Sequence, residues 1–297
     1  MLKLLPLVIA MVLGLGVNLR LAAQDAPVKI EASKLADNIY MITGKGGNIG
    51  LLTGSEGSFL IDDQFAPLTE QIIEVVKSVG GDVPRFLLNT HFHGDHSGGN
   101  ENLGKQGTLI MSHHAVRERL VNGSYIAAFG MKAGPANKPA LPALTYADNM
   151  HLHINGETLH IVHAPSAHTD GDSFVVFEKA NVVHAGDLFF NGFFPFIDAA
   201  NGGSLRGMIA GVERILALTD DASKIIPGHG PLGNRADLQR YRDMLAVANE
   251  RLLGLKNQGM SADDAVTAAP LKDLEAQWGG GIFSADKWIA IVYPAVY

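Results

Sequence analysis

Apolar and polar positions alternate along this chain in short runs punctuated by glycine, and the period of the alternation changes several times. The runs Ile39–Ile42, Ile49–Thr53 and Phe59–Ile61, parted by Gly44-Lys45-Gly46-Gly47-Asn48 and a second polar stretch, predict a meander of three strands. Leu68, Ile72, Ile73, Val75, Val76 and Val79 then recur at helical spacing, with Pro67 in the first turn and Gly80-Gly81 as the stop. Phe86-Leu87-Leu88-Asn89 is too short for a helix and reads as a buried strand. Strand, helix, strand makes a βαβ-like unit, in which function sits beyond the strand's carboxyl end. Leu109-Ile110-Met111 and Ala115–Val121 predict a further strand and helix, with His113 and His114 opening the helix.

Between Gly123 and Ala147 the period disappears and Gly, Ala and Pro dominate, which predicts a long loop, either a lid or substrate wall or a passive insertion. Short strands return from Met150 to Ala185, and Asn155-Gly156 marks a hairpin turn between His151–Ile154 and Thr158–Val162. Val182–Ala185 and Ile225–Pro227 predict two more strands. Ser204 caps a helix with Leu205, Met208, Ile209, Val212, Ile215 and Leu216 on one face, and Ala236–Leu255 predicts a longer amphipathic helix. The apolar, aromatic stretch from Trp278 to Tyr297 is expected to pack in the core or at an interface.

Composition narrows the class. With 297 residues and 47% hydrophobic content the chain can bury a sizeable core, as one large domain or two small ones. The start, Met1-Leu2-Lys3, then apolar Leu4 to Gly16, then Leu21-Ala22-Ala23, has the pattern of a secretory signal peptide over residues 1–23. It is shorter than the roughly 20 apolar residues of a spanning helix, so no stable membrane insertion is expected after cleavage. The expected mature chain, 24–297, is then periplasmic or secreted. It carries 21 basic and 30 acidic residues, a formal charge of −9, which makes nucleic acid a poor partner. There is no cysteine, so export brings no disulfide and any metal must be held by His, Asp or Glu.

The candidate chemistry centres on Thr90-His91-Phe92-His93-Gly94-Asp95-His96, directly after the strand Phe86–Asn89. Imidazoles and a carboxylate crowded in this way need a cation, and zinc accepts such nitrogen and oxygen donors at about 2.0–2.2 Å. Three further donors stand at strand ends or in a polar inter-strand loop: His168, Asp187 after Val182–Ala185, and His229 after Ile225–Pro227, with glycines beside the last two for close backbone approach. Asp62 and Asp63, closing an earlier strand, are either partners behind a ligand or solvated. The Gly44–Gly50 stretch fits no phosphate-loop spacing and reads as a hairpin turn, with a place on the wall of the site as the alternative. Adjacent His113 and His114 point different ways, so at most one could face the cluster and neither joins the donor set, while His151, His153, His160 and His163 have no carboxylate nearby in sequence and are expected to be structural or solvent-facing. Phe189, Phe190, Phe193, Phe194 and Phe196 are either a pocket wall or core.

His91-x-His93-x-Asp95-His96 followed in order by His168, Asp187 and His229 resembles the metallo-β-lactamase-fold superfamily, over nearly all of the mature chain. The resemblance implies an α/β (α+β) fold, a four-layer αβ/βα sandwich with metals at one edge of the sheets. It also implies a ligand assignment: His91, His93 and His168 for one zinc, Asp95, His96 and His229 for the other, and Asp187 shared. Seven donors exceed one tetrahedral zinc and suit two, with iron or manganese as other occupants. A hydroxide shared by two such ions is a nucleophile at neutral pH, with Asp95 orienting it and relaying its proton.

The expected activity is exported ring-opening hydrolysis of a cyclic amide or ester, of β-lactam or lactone type. A glyoxalase II-like thioesterase is the alternative within the fold, and an iron-dependent sulfur dioxygenase or a non-catalytic zinc-binding protein are the alternatives from other classes. Where many class B lactamases have a cysteine and, three residues later, a lysine for the substrate carboxylate, this chain has Asp187 and Phe190. His93 stands where flavodiiron proteins have glutamate.

Overall fold

The glycine-punctuated runs pair into a sheet because each offers a row of apolar side chains to both of its faces. The computed structural model describes residues 28–297, so the expected leader over 1–23 lies outside the described residues. Strands β1 (Glu31–Lys34), β2 (Ile39–Thr43), β3 (Ile49–Leu52) and β4 (Phe59–Ile61) form an antiparallel meander. The extra strand, β1, is polar and largely exposed, as suits a charged edge, and so carries no apolar alternation to read. Helix α1 (Thr69–Ser78) crosses to β5 (Phe86–Asn89), parallel to β4. Short helices α2 (Gly94–Ser97) and α3 (Asn100–Lys105) lead to β6 (Leu109–His113), and α4 (His114–Asn122) follows.

Residues 123–147 are more ordered than a long loop. They hold a small hairpin, β7 (Ser124–Ile126) with β8 (Met131–Ala133), and β9 (Leu144–Tyr146), which joins the first sheet parallel to β6. Each of these strands has three residues, too few for a period to register against the Gly/Pro background.

The second sheet runs in order through β10 (Asn149–Ile154), β11 (Glu157–His163), β12 (Ser173–Phe177), β13 (Val182–His184), β14 (Lys224–Ile226) and β15 (Gly233–Asn234). Asn155 and Gly156 both have positive φ, 53° and 76°, as the two-residue hairpin turn requires. Between the sheets, Leu52, Phe59, Ile61 and Leu88 meet Leu159, Ile161, Val175, Phe177 and Ile226. Ile72, Ile73 and Val76 of α1 and Leu103 of α3 close the outer face of the first sheet. Helix α5 (Leu205–Ala217), capped by Ser204, α6 (Arg235–Asn257) and the C-terminal helices α7 (Ala262–Thr267), α8 (Glu275–Trp278) and α9 (Ala285–Val292) close the second. This is the expected four-layer αβ/βα arrangement. Trp288 is fully buried, stacks on Phe194 and donates to the Pro195 carbonyl, so the C-terminal aromatics are core. Among the described residues no helix is long and apolar enough to cross a membrane.

His113 ends β6 and caps α4: its Nδ1 accepts from the Ala115 N–H, and Nε2–H donates to the Ala147 carbonyl at 2.8 Å. Burial, and then the His163 ring stacked 3.6 Å away, pull its pKa down to about 4, since protonation would remove the cap acceptor. A depressed histidine pKa gives stability that is complete above the unfolded value of about 6.5 and is lost as pH falls through about 4. Allowing for solvent screening, the term is worth about 1–2 kcal/mol. The urea midpoint of the wild type is therefore expected to fall more between pH 7 and pH 4.5 than that of His113→Asn, which keeps a cap acceptor and does not titrate. Parallel curves would remove the linkage.

Candidate metal centre

Three strand ends and one loop deliver the donors. The carboxyl end of β5 runs into His91, His93, Asp95 and His96, the end of β13 into Asp187, the end of β14 into His229, and the loop between β11 and β12 presents His168. All seven meet at one edge of the two sheets, as two groups: His91, His93, His168 and Asp187, and Asp95, His96 and His229, with one atom from each member within 4.8 Å of the others in its group.

His93 Nδ1 lies 3.1 Å from His91 Nε2 and 2.8 Å from His168 Nε2. His96 Nε2 lies 3.3 Å from His229 Nε2, and Asp95 Oδ2 is 3.3 Å from the same His229 nitrogen. Asp187 spans the groups, with Oδ2 at 3.3 Å from His168 Nε2 and Oδ1 at 3.1 Å from His96 Nε2 and 3.4 Å from His229 Nε2.

The outer hydrogen bonds decide which ring atom faces inward. His168 Nδ1–H donates to the Phe196 carbonyl at 2.8 Å, which leaves Nε2 bare toward the cluster. Asp62 accepts from His96 Nδ1 at 2.7 Å and from the Thr90 hydroxyl at 2.7 Å, and that hydroxyl in turn accepts from His91 Nδ1 at 3.0 Å. Asp198 accepts from His93 Nε2 at 3.0 Å and turns Nδ1 inward.

Two glycines make room. A Cβ on Gly228 would stand 2.0 Å from Asp187 Oδ1, and one on Gly47 would stand 2.1 Å from His96 Cε1. The glycine-rich stretch after β2 thus forms part of the site's floor as well as a turn. Asp62 and Gln64 hold positive φ, 65° and 56°, in buried non-glycine positions beside it, a strain retained where it aims Asp62 at His96.

Bare nitrogens pointed at one another repel, and the electrostatics register the deficit. Burial disfavours the charged form of His91 and His93 and lowers both pKa values, the former further through His96. Burial opposes charge on His229 too, yet Asp187 and Asp95 outweigh it and raise the ring to about 9. Asp95 is held down at about 2 because His96 and His229 overcome its desolvation. Asp187 Oδ1 is buried without a hydrogen-bond donor. The converging lone pairs, the carboxylates between them and that orphaned oxygen fit a divalent cation.

The structure separates Asp62 from Asp63. Asp62 is the carboxylate behind His96, whereas Asp63 accepts from the Gly99 N–H, and burial raises its pKa well above the usual range. Asp198 was not legible in the sequence: it lies 30 residues beyond His168 in an irregular segment, with no motif around it. Losing such an orienting partner costs roughly 10–100-fold in metal affinity. Asp198→Ala is expected to weaken metal binding by about that factor in chelator competition, and an unchanged affinity would show that His93 needs no second partner.

A pocket of about 220 Å³ opens on the cluster, walled by Phe65, Ile126, Phe129, Met131, Phe190, Phe196 and Ile282 around His93, Asp95, Asp187 and His229, with no lysine or arginine in its lining among the described residues. Phe190 and Phe196 thus line the pocket at the edge of the core, Phe189 and Phe194 lie within the core, and the β7–β8 hairpin forms part of the pocket wall. Phe190 stacks on His229 with ring centres 5.1 Å apart.

A family model described as the metallo-beta-lactamase superfamily matches residues 42–229. Among solved structures, a metallo-beta-lactamase from Pontibacter korlensis is similar at 19% identity and a TM-score of 0.59, covering 73% of this chain and 99% of its own. The metallo-beta-lactamase FIM-1 from Pseudomonas aeruginosa, solved in a mono-zinc form, is similar at 20% identity and a TM-score of 0.59, covering 74% and 96%. No curated protein matches the chain.

Proposed function

The chain belongs to the metallo-β-lactamase superfamily and is a metal-dependent hydrolase, and on that premise we propose that it uses two zinc ions to open a cyclic ester or amide in a small-molecule substrate. The observation that carries the reading is Asp187, one carboxylate with an oxygen turned to each group of donors. His91, His93 and His168 would hold one ion, Asp95, His96 and His229 the other, with Asp187 common to both. When bound, the ions supply an acidified water and an electrophile for the substrate carbonyl. Asp95, whose side chain is 29% exposed toward the pocket, takes the proton from the attacking water and delivers it to the ring oxygen or nitrogen as the carbonyl–heteroatom bond breaks. The product keeps the new carboxylate and the freed hydroxyl or amine on one molecule.

The apolar walls bind the substituent of the ring and exclude water around the carbonyl. Phe190 and a lining that has no lysine or arginine among the described residues favour a neutral substrate with an apolar arm over one anchored by its own carboxylate. A panel of acyl-homoserine lactones, nitrocefin-like lactams and acyl-glutathione thioesters tests this with the zinc-loaded protein. Turnover of lactones with long acyl arms supports the reading, and turnover of thioesters alone overturns it. The basic start, the apolar run and the small residues before Gln24 support export of residues 24–297 to the periplasm or medium. Amino-terminal sequencing of the exported protein, expected to begin near Gln24, tests that.

A further inference from the structure

The outward face of the second sheet carries a second group of donors. His151 in β10 pairs directly with His160 in β11, and the two rings stack 4.3 Å apart at 7°. Strand alternation sends Leu152, Ile154, Leu159 and Ile161 into the layer between the sheets and turns both histidines out. His160 in turn pairs with Val176 of β12. Glu178, two residues further along the chain, brings Oε1 to 3.7 Å from His151 Nε2. One donor atom from each of the three lies within 4.8 Å of the others. In sequence these histidines have no carboxylate beside them, and the strand register supplies it.

We infer that His151, His160 and Glu178 bind a divalent transition-metal ion, of the Zn²⁺, Ni²⁺ or Cu²⁺ class, at a site separate from the metal centre. Two imidazoles and one carboxylate select borderline ions over Mg²⁺ and Ca²⁺, which take oxygen ligands. Three protein ligands on a half-exposed surface leave the remaining positions to water. Burial, and then His151, keep His160 in the neutral form that a metal ligand requires. Arg214, whose charge reaches His160, is engaged at the His163 carbonyl, 2.6 Å away. The ion would tie β10, β11 and β12 together at their outer face, where His153 instead meets Thr158 at 3.2 Å.

The test is a count of ions on tag-free protein stripped of metal and titrated with Zn²⁺. Wild type is expected to bind one more ion per chain than the double variant His151→Asn/His160→Asn, whose reloaded hydrolytic activity is unchanged. Glu178→Gln is expected to weaken that ion by about tenfold or more, and His153→Asn to leave the count alone. With paramagnetic Ni²⁺, the His151 and His160 ring resonances of wild type should broaden. Equal counts and affinities in wild type and double variant, or sharp resonances at excess Ni²⁺, would overturn the site. The comparison is a difference between two proteins with the same metal centre, so it stands apart from the fate of the proposed reaction.

Discussion

Asp187→Asn is expected to lower kcat/KM by about three orders of magnitude, a loss of roughly 4 kcal/mol of transition-state stabilisation. The substitution keeps the shape of the side chain, so the close approach of Gly228 is undisturbed and the fold should survive. What changes is the charge and one oxygen. The amide nitrogen must face either His168 or the pair His96 and His229, and it presents hydrogens where a cation has to sit. Whichever way it turns, one group of donors is left without its shared carboxylate, so metal content measured on the same preparation should fall toward half. An isolated loss of affinity for substrate would not give that pattern. A variant that keeps all its metal and works within tenfold of wild type would show that Asp187 bridges nothing.

The same residue shows why so much of this site was legible. Asp187, His229 and the His91–His96 group each follow a short apolar strand, and the parallel strands of the two sheets, β5 in the first and β13 and β14 in the second, carry their carboxyl ends to the same edge of the sandwich. Strand ends and donor type were therefore enough to single them out, and the family resemblance supplied their division into two groups. Asp62 was half legible: a carboxylate at a strand end could be seen, but not that its left-handed backbone turns it onto His96. Asp198 had no such marker, because it reaches His93 from an irregular segment 105 residues away. Glu178 was hidden for another reason. Its partners lie on other strands, and only the pairing of His160 with Val176 brings it beside His151. The fold divides in the same way. Short apolar runs bounded by glycine or polar residues could be read, down to the three residues of β4, whereas the charged β1 and the three-residue strands set in the Gly/Ala/Pro background between Gly123 and Ala147 could not.

Removing the metal is expected to lower the melting temperature by about 10 °C or more. His91, His96 and His168 are completely buried and His93 and Asp187 nearly so, which leaves their bare nitrogens and carboxylate oxygens no water to turn to. A ligand that binds only the folded chain, at about 1,000 times its dissociation constant, contributes about 4 kcal/mol, and each kcal/mol moves the midpoint of a chain this size by roughly 2–4 °C. The destabilisation should also be local. The donors sit on the loops after β5, β13 and β14 and on the loop before β12, while the layer between the sheets is apolar and owes nothing to the cation. Amide exchange in the stripped protein should therefore accelerate around residues 90–99, 166–172, 186–191 and 228–230, with Leu159, Ile161, Val175 and Phe177 still protected. Calorimetry and exchange on stripped and reloaded protein check both halves. A stripped protein that melts with the holoprotein would mean that protons alone satisfy the cluster, and the case for a cation built from its geometry would fail.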